Sequence, residues 1–450
     1  MVHPLPIDFR GRALGALLLS ASLIGSSCVS YQAAPLDLES TVTGLRSLVL
    51  PPVDEADRAG GYQPLDLVRF ALSHHPSLAV ARAELGVSLS LADEAAQWGD
   101  IDVGWGAMDA LSSEWSAGHT NTENFVSGLD VMVELPRIGQ RGAERASAKA
   151  LRRRALEALA LEEWKLDRAV WLACADVTMG QAKLAQVQTG LEVTAGSRAY
   201  FGRALAAGAA TATEAGLANG DWLDASADLL AQEAELAASR RTLNGLLGLP
   251  ASYKLELAAP ATWGLGVPNT DRETLEREAL ARRPEVREAA VAYESAEADL
   301  RLAISMQYPR VAIGTGVSLG LGLLHDFHGR QIDTATKRRA LAAVRHEAAV
   351  ARVLGEVQNT LADYTAESAM HEFLASQLVP AAEQSLDQAN LALESGQVTP
   401  LEVLNVQRGL IDAQARLGQS RADLLRMTIR LSKVTGQSLT TGTEIVQGAN

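Results

Sequence analysis

Two cysteines in 450 residues leave almost nothing to cross-link. Cys28 stands directly behind a short apolar run and Cys174 lies inside a helical stretch. An exported chain of this kind must hold itself by burial or by self-association. Aromatic residues make up only 4% of the chain and the net charge is -14. Both exclude a nucleic-acid partner, which needs a basic face and stacking platforms. After the first 28 residues no run of 18 apolar residues occurs, so no membrane helix is expected. There is no phosphate-cradling glycine loop, no zinc spacing and no Cys/His nucleophile pattern, so neither catalytic residue, metal site nor cofactor is expected. With 47% hydrophobic and 21% charged residues, the chain is neither disordered nor a polytopic helical membrane protein.

The beginning has the organisation of an export signal. Arg10 and Arg12 precede "ALGALLLSASLIG" and then "SSC", a basic, an apolar and a small-residue region in order. Gly25, Ser26 and Ser27 before Cys28 resemble a bacterial lipoprotein cleavage box, with glycine where a larger aliphatic is usual. Cys28 is therefore the expected lipidation site, with ordinary signal cleavage nearby as the alternative. The expected organisation is a signal over 1–27, an extended linker over 28–62, a first repeat over 63–253, a linker over 254–270, a second repeat over 271–437 and a tail over 438–450.

The repeats are read from matched residues. Leu67, Ala71, Leu72 and Pro76 recur 208 residues later as Leu275, Ala279, Leu280 and Pro284. Further on the spacing falls to 188: Leu135 pairs with Leu323, Gly208 with Gly396, Leu243 with Leu431 and Gly248 with Gly436. The first half therefore carries about 20 extra residues between Leu85 and Leu135.

From Gly142 to Leu205 there is no proline, which predicts a helix on the order of 95 Å long. Its counterpart runs from about Gln331 to Glu394, with Pro380 as the expected kink. After each, apolar residues recur every seven positions: Val403, Leu410, Leu417, Leu424 and Leu431, with Val406, Ala413, Ser420, Met427 and Val434 beside them. Trp222, Leu229, Leu236 and Leu243 form the stripe of the first half, and such heptads predict coiled-coil packing.

Two segments alternate as strands do. Ile101, Val103, Trp105 and Ala107 share one face, and Phe125, Leu129, Val131, Val133 and Leu135 another, with 112–124 as a loop between them. Alternation over about ten residues suits a membrane barrel strand, and a soluble hairpin with one buried face would be the reading if the long helices did not flank it. In the second half Val311 to Leu323 alternates only once, which predicts a stunted hairpin turning near Gly314 to Gly316, or no full strand pair.

Between the long helices of each half the spacing Gly-x-x-Thr-x-x-Glu recurs: Gly208, Thr211, Glu214 and Gly396, Thr399, Glu402. Each is read as a helix end at glycine followed by a capping box, with Pro400 at a first helical position. "GVSLG" at Gly316–Gly320 formally matches a nucleophile elbow, but Ser318 lies within strand alternation and is read as structural. His74 and His75, and His325 and His328 beside Asp326, lack the ligand cluster a metal needs.

The ordered set resembles the TolC-like outer membrane efflux proteins over most of the chain after Gly61. The residues that carry it are "AL..HP.L..A.AE" at Ala71–Glu84, "AL..RPEV..A" at Ala279–Ala289, "LNGLLGLP" at Leu243–Pro250 and "GQVTPLEVL" at Gly396–Leu404. "VELPRIGQRGAERASAKA" at Val133–Ala150 is closest to the CzcC-type heavy-metal-efflux branch. The resemblance implies a mainly α chain with a small membrane β part, three copies pooling their strands into a β-barrel above a coiled-coil α-barrel tunnel. It implies a homotrimer in the outer membrane and periplasm, contacting outer-membrane lipid and working with a periplasmic adaptor and an RND-type inner-membrane pump. It places Gly208, Thr211, Glu214, Gly396, Thr399, Pro400, Glu402 and Asn405 at the periplasmic tip where an adaptor docks, with Glu402 and Asn405 where the family often has two acids at the pore. A non-conducting helical scaffold lipoprotein with a degenerate barrel is the competing reading.

Overall fold

The computed structural model describes residues 31, 33–51, 61–96, 101–108, 126–265, 269–313, 317–320 and 328–436. The signal segment, Cys28, the loop over 112–124, Phe125, and His325 with Asp326 lie outside the described residues. The chain divides into two compact units at Ser47. The first contributes one described helix, α1 (Leu38–Arg46), capped by the Asp37 carboxylate, which accepts from the Glu39 N–H at 3.0 Å.

In the second unit one order of elements occurs twice. Helices α2 (Pro64–His74) and α3 (Pro76–Ala96) lead to strands β1 (Ile101–Met108) and β2 (Val126–Leu135), then to α4 (Gln140–Ala206) and α5 (Ala212–Leu247). The second pass runs α6 (Arg272–Arg282), α7 (Pro284–Ser305), β3 (Arg310–Ile313), β4 (Val317–Gly320), α8 (Gly329–Phe373), α9 (Val379–Glu394) and α10 (Pro400–Val434). Pro76 and Pro284 set both early breaks. A residue before proline is pushed out of the helical region, and His75 and Arg283 sit there at ψ 129° and 125°.

At 67 residues, α4 extends roughly 100 Å. Its counterpart is interrupted by a π-helical turn, Leu374–Leu378, where the Val379 N–H reaches back five residues to the Leu374 carbonyl. Pro380 follows immediately. It has no N–H to give, and its ring would collide with the carbonyl four residues back, so the extra residue in the turn widens the helix there.

The strands form one antiparallel sheet in the order β1-β2-β3-β4. Ile101 pairs with Val133 and Met108 with Val126, Leu135 pairs with Val311, and Ile313 with Val317. The second hairpin is thus present and short, with four residues in each strand.

Two apolar cores lie where α5 and α10 end. Leu67, Ala71, Leu78 and Leu243 are buried in one, and Leu275, Ala279, Val286 and Leu431 in the other, each at the position matched in the repeat. The heptad stripe of α10 is nowhere exposed: Leu431, Ala413, Ser420 and Val434 are buried and the rest half-buried. A polar belt crosses the cores. Lys433, fully buried, pairs with Asp167, and its ammonium lies 5.4 Å from the ring centre of Trp171. Burial moves both groups toward neutrality, raising the Asp167 carboxyl and lowering the Lys433 amine. Cys174 is free and buried, and burial pushes its thiol well up, so it is an inert core residue.

Candidate functional site

The recurring Gly-x-x-Thr-x-x-Glu segments form two tight turns, one between α4 and α5 and one between α9 and α10. Gly208 and Gly396 adopt left-handed backbone at φ 70° and 72°, where a side chain would be strained. Both helix ends close with the same pair of hydrogen bonds. Ala209 N–H donates to Ala204 O at 2.8 Å and Gly208 N–H to Leu205 O at 3.0 Å; Gln397 N–H and Gly396 N–H do the same to Ala392 O and Leu393 O at 2.8 and 3.0 Å. This satisfies the last carbonyls of each descending helix.

Both ascending helices open with a full capping box. The Thr211 N–H donates to Glu214 Oε2 at 2.7 Å and the Glu214 N–H to Thr211 Oγ1 at 3.2 Å. In the second turn the Thr399 N–H donates to Glu402 Oε2 at 2.7 Å and the Glu402 N–H to Thr399 Oγ1 at 3.3 Å. Pro400 is the first residue of α10, where its missing N–H costs nothing. The bond from the Thr211 N–H holds the Glu214 carboxyl below the usual glutamate range. Glu402 is exposed while one of its oxygens caps the helix, so capping leaves the charge facing solvent.

Sequence spacing did not point to what ties the two turns together. Phe201, Ala218 and Leu404 are buried against one another, bringing α4, α5 and α10 into one small core. Arg408 Nε donates to Asp221 Oδ2 at 2.6 Å, and its Nη1 donates to Asn405 Oδ1 at 3.3 Å. The Arg198 guanidinium lies 4.0 Å from the ring centre of Trp222. Asn405 thus helps orient the arginine that clamps α10 to α5. Leu404 lies off the heptad stripes, beside Val403, and a charge pair 187 residues apart has no local signature.

The other candidates have structural work. His74 stacks on Phe70 with ring centres 4.4 Å apart, and His75 Nδ1 accepts from the Ser77 N–H at 3.2 Å at the start of α3. His328, at φ 63°, pairs with Gln331 at 3.0 Å. Ser318 pairs in register with Ala312 inside the β3–β4 hairpin. No group of three His, Cys, Asp or Glu suited to a metal occurs among the described residues. No described helix is long and apolar enough to cross a membrane.

No protein-family model matches the sequence, and no curated protein matches it. The structure does match solved ones. The outer-membrane channel OprN superposes with a TM-score of 0.70 at 20% identity, covering 87% of this chain and 97% of that one. The outer membrane protein VceC of Vibrio cholerae gives 0.69 at 20% identity over 83% and 96%. CusC, studied for the changes that accompany transmembrane channel formation, gives 0.69 at 16% identity over 92% and 100%. At these identities the likeness establishes the fold, and the chain has the long-helix architecture of the outer-membrane channels.

Proposed function

We propose that the chain is the outer-membrane channel subunit of a tripartite efflux system, conducting cargo passively from an inner-membrane pump and a periplasmic adaptor to the outside. The observation that carries this reading is a pair of unsatisfied helix edges at the strand end. On α3, Val80, Val87 and Leu91 are exposed at helical spacing with Glu84 and Glu94 among them. On α8, Leu341 and Val344 are exposed, with the Lys337–Asp333 ion pair on the same edge. α3 packs on α4, α4 on α7 and α7 on α8. The apolar edges of α3 and α8 are therefore the two open ends of one row of helices. Three copies joined edge to edge close the row into a tunnel wall, and a heterologous contact that closes is a ring.

In this reading the strands enter the outer membrane, Cys28 carries the lipid anchor, and the capped turns at Gly208–Glu214 and Gly396–Asn405 face the adaptor. The repeats over 63–253 and 271–437 then give the trimer six similar turns at its mouth. Glu402 from each copy makes an acidic ring, which favours cations. The cargo, a metal ion or a small molecule, is set by the pump.

The competing reading is a non-conducting scaffold, favoured by the second hairpin. Its four-residue strands fall short of the roughly 9–11 residues a membrane strand needs. Planar-bilayer recording of the purified full-length protein separates the two. Stepwise currents support the channel, and a folded oligomer that never conducts supports the scaffold.

A further inference from the structure

Just below the strands the chain reverses its overall charge. Against a net -14, residues 137–154 hold seven Arg or Lys and a single acid, Glu144. Arg145, Lys149 and Arg152 lie on one face of α4, exposed and without an ion pair among the described residues. Leu156, 44% exposed, continues that face below, and Ile138, 76% exposed, precedes the helix, ahead of the left-handed Gly139. The three charges begin roughly 8 Å and end roughly 18 Å along the axis from the start of α4.

The neighbouring helix α7 shows which side this is. Arg153, at the flank of the basic stripe, pairs with Glu294. On the same face of α7, Arg301 pairs with Glu297 at 3.6 Å and Ile304 is exposed, and Tyr308 follows just beyond the helix end at Ser305. Ser147 and Arg154 instead meet Asp299 and Glu288 across the other side of the helix pair. On this surface the charges of α7 are paired, and the unpaired positive charge belongs to the stripe of α4, with a tyrosine near the strand end. The opposite surface carries carboxylates.

We propose that the basic face of α4 is seated against anionic phospholipid headgroups at the periplasmic side of the membrane that holds the strands. This rests on the channel reading above, which puts the strands in that membrane. Arg and Lys immediately beyond a membrane segment, together with an amphipathic tyrosine and exposed aliphatics, form the combination that a negatively charged lipid interface recognises. A second copy of the chain is not the occupant, because the edges left for copies are on α3 and α8, whereas α4 and α7 sit between them.

The test is retention of radiolabelled phosphatidylglycerol, against phosphatidylcholine at equal mole fraction, by the detergent-solubilised full-length protein. Wild type is expected to prefer phosphatidylglycerol, and about 0.5 M salt to erase the preference. The combined Arg145→Gln, Lys149→Gln, Arg152→Gln variant is expected to bind it about tenfold more weakly or worse. Arg145→Lys with Arg152→Lys is expected to retain it, and an unchanged melting temperature shows that the glutamine variant is folded. Equal retention of the two lipids by wild type, or equal phosphatidylglycerol binding by the glutamine variant, overturns the proposal. So does loss of sedimentation with purified cell-wall sacculi by that variant while its lipid binding is unchanged, since that assigns the surface to the cell wall. Bilayer currents in neutral lipid test the channel reading separately: their absence with the headgroup preference intact removes the channel and not the surface.

Discussion

Arg168 and Glu356 stand 188 residues apart, at matched places in the two repeats, and their side chains meet at 2.6 Å. The same carboxylate accepts from Arg283, also at 2.6 Å, and Arg283 is only 1% exposed. The guanidiniums of Arg283 and Arg168 lie 4.8 and 5.6 Å from the ring centre of Trp164. A duplicated position has thus diverged into opposite charges, and the halves are joined where they face each other.

Glu356→Gln is expected to destabilise the protein by about 2 kcal/mol, because two guanidiniums, one of them buried, lose their shared charge. Burial alone would raise the Glu356 carboxyl, but the bonds and charges of Arg283 and Arg168 together hold it below the usual glutamate range. A carboxyl depressed by folding gives stability that is present above its unfolded pKa and lost as pH falls through the folded one. Wild type should therefore lose stability below about pH 4.5 more steeply than Glu356→Gln, as read from thermal melts across pH 3 to 6.

Lys433→Met leaves Asp167 buried without its partner, and a loss of about 3 kcal/mol or more is expected. Adding Asp167→Leu should recover most of it, since an apolar pair of similar volume needs no desolvated charge. Equal instability of the single and double variants would show that packing around Trp171, not the pair, holds this level of the structure.

Thr399→Ala removes the hydroxyl that accepts from the Glu402 N–H, and caps of this kind are worth about 1 kcal/mol. Amide exchange at the first turn of α10 is expected to speed about fivefold, with the α5 start unchanged; Thr211→Ala should give the mirror result.

Arg408→Ala cuts the clamp between α10 and α5 at the turns. The expected result is a larger or more frequent conductance in planar bilayers, with little change in melting temperature because the bond is half-exposed. Asp221→Asn should reproduce it. Unchanged conductance in both variants would make the pair a surface bond with no hold on the pore.

The sequence made the periodic and local features readable. Heptads from Val403 to Leu431 and both threonine caps depend on residues a few positions apart, where spacing carries the physics. Contacts between distant positions left no such trace. Nothing near Lys433 announces Asp167, 266 residues earlier, and nothing in Arg408 announces Asp221. Pro380 promised a disturbance, but only the backbone shows that the helix answers with a π-turn and continues. The strands were legible as alternation, and pairing of Leu135 with Val311 across the repeats was not.

The central claim is that copies of this chain close into a ring through the edges of α3 and α8. Val87 and Leu341 lie at similar depth below the strands, each exposed at the middle of its edge. The measurement is oxidative cross-linking of the full-length protein carrying Val87→Cys and Leu341→Cys, with Cys174→Ala removing the buried thiol. The account predicts covalent dimers and trimers that need both new cysteines, with no larger species. Monomer alone, or a ladder extending past three, would contradict it.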